Sequence, residues 1–153
     1  MTPSRRRALQ VFATAAFGEV RVWHITSGRE LLRIRVPNLA PACLAFTHDG
    51  AALLSGWDDG AVRAFGPQTG RELYTVAAHH KAVTAVAGCM DSCRFLSGGE
   101  DGMVRLWEVR APLASTSGRA LRWQRSVPLI MRGSACTLIS LGPGGCRLAA
   151  AAT

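Results

Sequence analysis

An all-β fold of repeated four-stranded antiparallel sheets is predicted by three observations. A block recurs every 42 residues without a gap: Val20-Arg21-Val22-Trp23 lies over Val62-Arg63-Ala64-Phe65 and Val104-Arg105-Leu106-Trp107. Short runs alternate apolar and polar residues, as half-buried strands do, and no helical periodicity extends over a useful length. Asp59-Gly60 and Asp101-Gly102 punctuate these runs with hairpin signals, because Gly supplies the positive φ that tight turns require. A period of about 40–45 residues with Asp-Gly turns and a terminal Trp predicts the blades of a β-propeller.

The elements follow in order. Residues 1–11 read as a basic arm, with Arg5, Arg6 and Arg7 preceding the first apolar run. This start imitates an export signal, since Ala13-Thr14-Ala15 looks like a cleavage site. Cleavage there would remove a strand that falls in register with the repeat, so a solvated arm is the better reading. Residues 12–36 form a partial blade with strands at Phe12–Ala16, Val20–His24 and Leu31–Val36. Residues 42–77 form a blade with strands at Ala42–Phe46, Ala52–Gly56, Val62–Phe65 and Leu73–Ala77. Residues 78–127 form a third, with strands at Val83–Gly88, Arg94–Gly98 and Val104–Val109. A long Arg/Ser-rich connection then runs from Arg110 to Val127 and holds one strand near Leu121–Arg125. The pattern resumes in a truncated blade at 135–153, where Ala135–Ser140 resembles Ala82–Ala87 and Arg147–Ala150 resembles Arg94–Ser97. Two full blades and two partial ones make an incomplete propeller, so the sequence reads as part of a larger ring, a truncated gene product or an isoform. The unpaired edges at Phe12–Ala16 and Cys146–Ala152 are expected to make the isolated chain prone to association.

Composition narrows the function. The chain has 153 residues, 48% hydrophobic, which is enough for a core and too many for a disordered chain. No apolar stretch of about 18 residues is present to span a membrane as a helix. The net charge of +8 favours acidic partners without choosing among them. A single Tyr argues against an aromatic-rich RNA-binding sheet. Five Cys at irregular spacing do not form a secreted disulfide framework and read as free thiols.

These repeats resemble the WD40 family from Phe12 onward. A blade of that family is pinned by a buried tetrad of His, Ser or Thr, Asp and Trp. The resemblance implies that His79, Ser97, Asp101 and Trp107 form a complete tetrad. Ser55, Asp59 and Phe65 would form a partial one without the His. Thr14 and Trp23 would form another, with Phe17 where Asp is expected. A neutral His has one donor and one acceptor nitrogen, so each buried polar group can find a partner. Within the family, Ser27–Leu32, Val36-Pro37-Asn38 and Asp59–Phe65 resemble WD40 proteins of the microtubule walls of cilia and centrioles. The likeness extends from Phe12 to about Val109.

Other constellations have plainer explanations. Ser97, His79 and Asp101 are also the residue types of a hydrolase triad, but no nucleophile elbow is present and the tetrad is buried. His79-His80 with Cys89 and Cys93 lacks the paired spacing of a zinc site, and adjacent strand residues point to opposite faces. Arg21, Arg63 and Arg105 recur at one register position and are expected to pack over the blade aromatics, with ligand contact as the alternative. Arg122 and Trp123, in the long connection, are candidate partner contacts. The expectation is therefore a non-enzymatic scaffold for protein–protein contact. No cofactor, metal, small-molecule substrate, membrane or nucleic acid is expected. By resemblance the partner is tubulin, microtubules or other axonemal proteins in a cilium, flagellum or centriole. The alternative is an adaptor subunit of a signalling or ubiquitin-ligase complex.

Overall fold

The computed structural model of the chain describes residues 10–91, 93–110, 120–127, 136–138 and 150–152, with side chains through residue 109. Its described residues form strands and turns with no helix, so the all-β class holds. The first sheet has three antiparallel strands in the order β1 (Val11–Ala16), β2 (Glu19–His24) and β3 (Glu30–Arg35). The second has four: β4 (Pro41–Phe46), β5 (Leu53–Trp57), β6 (Ala61–Phe65) and β7 (Glu72–Ala77). The third is β8 (Val83–Gly88), β9 (Arg94–Gly99), β10 (Val104–Arg110) and β11 (Ala120–Val127). A fourth, two-stranded sheet joins β12 (Cys136–Leu138) to β13 (Ala150–Ala152).

The repeat of the sequence is a repeat of geometry. A β-bulge follows Val22, Ala64 and Leu106, at one register position in three successive blades. A second bulge recurs at Pro41/Cys43 and Val83/Ala85. Bulges re-aim the side chains beside them, and the first kind sits against Trp23, Phe65 and Trp107. The fourth sheet keeps the pairing of the third, since Cys136 faces Ala152 as Val83 faces Gly99. The strand expected at Arg147–Ala150 is seen at Ala150–Ala152, and residues 147–149 lie outside the described residues.

The segment from Arg110 to Val127 is less of a connection than its composition suggested. Its second half is the outer strand β11, which pairs with β10 from Val104↔Val127 to Arg110↔Ala120. Residues 111–119, between the two strands, lie outside the described residues.

Alternation along the strands builds one apolar core at each of the two junctions among the first three sheets. Val20, Val22, Ile34, Leu53, Trp57 and Phe65 join the first sheet to the second. Leu54, Val62, Ala64, Tyr74, Val83, Phe95 and Trp107 join the second to the third. Adjacent residues such as Leu53 and Leu54 thus serve opposite junctions. Among the described residues β1 has no strand on its outer side. Phe12 and Phe17 there are 42% and 75% exposed. Cys43 and Cys93 carry free thiols, but Cys89 is buried and disulfide-bonded, which corrects the expectation of free thiols throughout.

Candidate functional site

The most connected polar cluster lies inside the third blade. His79 enters from the loop between β7 and β8, Ser97 stands on β9, Asp101 in the β9–β10 turn, and Trp107 on β10. Asp101 Oδ1 lies 2.9 Å from His79 Nδ1, and His79 Nε2 lies 2.8 Å from Ser97 Oγ. The Trp107 indole N–H donates to Ser97 Oγ at 2.9 Å. The carboxylate fixes the tautomer: Nδ1 carries the proton, so Nε2 accepts from the Ser97 hydroxyl. Burial lowers the His79 pKa, with the Arg105 charge adding to the effect, and the ring stays neutral. Burial acts to raise the Asp101 pKa, but the bonds from His79 and the Met103 amide prevail and leave it lowered.

Two glycines make room for this cluster. A Cβ on Gly99 would stand 2.5 Å from His79 Cγ, so the imidazole occupies the space a side chain would need. Gly60, in the Asp-Gly turn of the second blade, has φ +83 and accepts at its carbonyl from the amides of Ala78 and His79. The turn of one blade therefore holds the loop that delivers His79 to the next.

The second blade reaches the same end with different residues. Pro37 stands where the His would be, and Phe65 where Trp would be. Trp57, which sequence reasoning passed over, replaces both. It occupies the position equivalent to Gly99, is fully buried, and donates its indole N–H to Ser55 Oγ at 2.8 Å. Ser55 Oγ in turn donates to the Arg63 carbonyl at 2.9 Å. The available signal was a Trp in the register position where the third blade has Gly. The first blade keeps only the indole–hydroxyl pair, Trp23 Nε1 to Thr14 Oγ1 at 2.9 Å, and Phe17 points to solvent.

The recurring arginines answer to carboxylates more than to blade aromatics. Arg63 holds Asp59 with two nitrogens, at 3.1 and 2.6 Å, and its guanidinium lies 5.4 Å from the Trp57 ring instead of over Phe65. The bond from Arg63 is the main reason the Asp59 pKa is lowered. Arg105 Nη1 donates to Asp101 Oδ2 at 3.2 Å and to the Ala78 carbonyl. Arg21 pairs with Glu19, which supplies the carboxylate that Phe17 does not. Arg122 and Trp123 lie on β11, in register with Glu108 and Trp107. Their side chains lie outside the described residues.

Ser97 is fully buried and both its hydrogen-bonding roles are taken. A substrate carbonyl has no path to it. Burial also pushes the Cys43 thiol up to about 12, which holds it as a neutral packing group between β4 and β8. Among the described residues no three His, Cys, Asp or Glu side chains gather as a metal site, and no helix is long and apolar enough to cross a membrane.

Antiparallel sheets with this bulge pattern and this buried tetrad resemble the blades of WD40-repeat β-propellers. Residues 70–108 match the family model described as WD domain, G-beta repeat. Over 55 residues, 36% of this chain, the sequence is 62% identical to cilia- and flagella-associated protein 52 of Chlamydomonas reinhardtii. It is 53% identical to that of Sus scrofa and 49% to that of Homo sapiens over the same length. The match spans 9% of each relative's length. Among solved structures, U3-55K and the RRP9 WD40 repeats superpose with TM-score 0.62 at 26% identity. They cover 65% of this chain, and 33% and 32% of their own.

Proposed function

We propose that this chain is a non-enzymatic WD40 scaffold that binds other proteins in a cilium or flagellum, in contact with axonemal or centriolar microtubules. The observation that carries the reading is the 55-residue segment at 62% identity to a cilia- and flagella-associated relative. A stretch that similar keeps surface as well as core residues, whereas fold alone implies no function. The buried Ser97 supports the non-enzymatic part, because its tetrad is spent on pinning strands. The +8 charge supports an acidic protein surface such as tubulin as the partner. Co-sedimentation of the purified chain with taxol-stabilised microtubules tests this. Binding that weakens as salt rises is expected, since exposed ion pairs are screened beyond about 8–10 Å. Absence from the pellet at low salt, with no axonemal signal from a tagged copy in ciliated cells, would overturn it.

A further inference from the structure

The two junctions between blades differ in how they use their arginine, and among the described residues one of them keeps donors that make no hydrogen bond. At the first junction Asp59 takes two nitrogens of Arg63, and Trp57 lies beneath the guanidinium. At the second, the carboxylate is shared. Asp101 accepts from His79, the Met103 amide, the His80 amide and Arg105. Arg105 can therefore engage it through Nη1 alone. Among the described residues Nε and Nη2 of Arg105 make no hydrogen bond. A guanidinium has five N–H donors in a fixed fork, and a carboxylate matches two of them at once.

Arg105, whose side chain is 13% exposed, also lines an open cleft of about 370 Å³ between β7 and β10. Val76 and Ala77 form one wall, Trp107 and Arg105 the other, and His79 and His80 close the end. Both walls belong to complete four-stranded blades, so the cleft is formed by elements already in place. We propose that it is a docking site for a protein segment carrying an exposed Asp or Glu, whose carboxylate pairs with Arg105 while its neighbours lie against Val76, Ala77 and Trp107. The proposal deepens the scaffold reading by naming the chemistry of the partner. Charge complementarity favours a peptide over a nucleic acid: one cation between apolar walls suits a single carboxylate, whereas a phosphate backbone needs a row of cations.

The test uses the full chain with a fluorescein-labelled hexaglutamate peptide, and hexaglutamine of the same length as control, read by anisotropy at low salt. Ala77→Glu places a negative charge on the cleft wall without touching the tetrad. It should weaken hexaglutamate binding by about tenfold or more. Arg35→Glu, on the exposed outer strand of the first blade, should change it by less than about twofold. Melting temperatures of both variants, compared with the parent, separate binding loss from unfolding. Equal losses in the two variants would show diffuse attraction and overturn the site. So would tighter binding of oligo-dT than of hexaglutamate, or no hexaglutamate binding at all. Microtubule co-sedimentation of the same samples reports separately on the scaffold reading, which survives if only the cleft fails.

Discussion

The second and third blades share a backbone and differ in what holds it. In the third, four residues from two strands, a turn and a loop form one network around Ser97, and the imidazole of His79 bridges Ser97 to the turn at Asp101. In the second, one side chain, Trp57, fills the imidazole space and supplies the indole donor. The comparison teaches that the fold requires a filled volume and a satisfied Ser hydroxyl, and that the His–Asp–Trp set is one way to provide them. Buried polar groups must be paired, but the partner's identity is open.

The largest effect should come from removing the substitute. Trp57→Ala deletes a fully buried aromatic and the donor to Ser55, and should cost about 3–5 kcal/mol. Urea denaturation measures it. Adding Pro37→His to Trp57→Gly should recover part of the loss, if the two blades are alternative solutions to one problem. No recovery would show that the His pathway needs its own loop.

Next are the paired Asp-Gly turns. A Cβ on Gly60 would meet the His79 carbonyl at 2.2 Å, whereas one on Gly102 meets no described atom within 4 Å. Both have positive φ. Gly60→Ala should therefore destabilise by more than about 2 kcal/mol and Gly102→Ala by about 1 kcal/mol. Thermal melts of the two variants compare them directly, and equal shifts would contradict the proposed bracing of one blade's loop by the other's turn.

Smaller again is the contrast between the turn carboxylates. Asp101→Ala strands the His79 N–H and should cost about 1–3 kcal/mol. Asp59→Ala breaks a part-exposed ion pair and should cost under about 1 kcal/mol. Guanidinium titrations that rank Asp59 above Asp101 would reverse the assignment of the buried network.

The smallest effect is one of pH. The folded His79 pKa lies below its ordinary value, chiefly through burial. The unfolded chain therefore binds the proton more readily. Stability from this group is complete above about pH 6.5 and falls as the pH drops toward the folded pKa. The melting temperature should decline from pH 7.5 to 5.5, and His79→Gln should flatten the decline. The second blade has Pro37 in place of this His.

Much of this architecture was legible in the chain alone. The 42-residue spacing of Trp23, Phe65 and Trp107, the Asp-Gly turns and the alternation of short runs placed ten strands close to where they lie. Local sterics set these features: a positive φ demands Gly, and a strand buried on one face demands alternation. The neighbourhood of His79 came from elsewhere: the resemblance to WD40 blades implied that His79, Ser97, Asp101 and Trp107 lie together. The role of Trp57 was not legible, because a Trp beside a turn does not announce which cavity it fills. That was decided by the absence of a His at position 37, a residue twenty positions away along the chain that would otherwise occupy the space. The roles of Arg63 and Arg105 were likewise settled in three dimensions. The two occupy equivalent register positions, yet Arg63 holds Asp59 through two nitrogens and Arg105 reaches Asp101 through one. The cause is the number of groups competing for a single carboxylate, and that competition exists only once β7, β9 and β10 have been brought together.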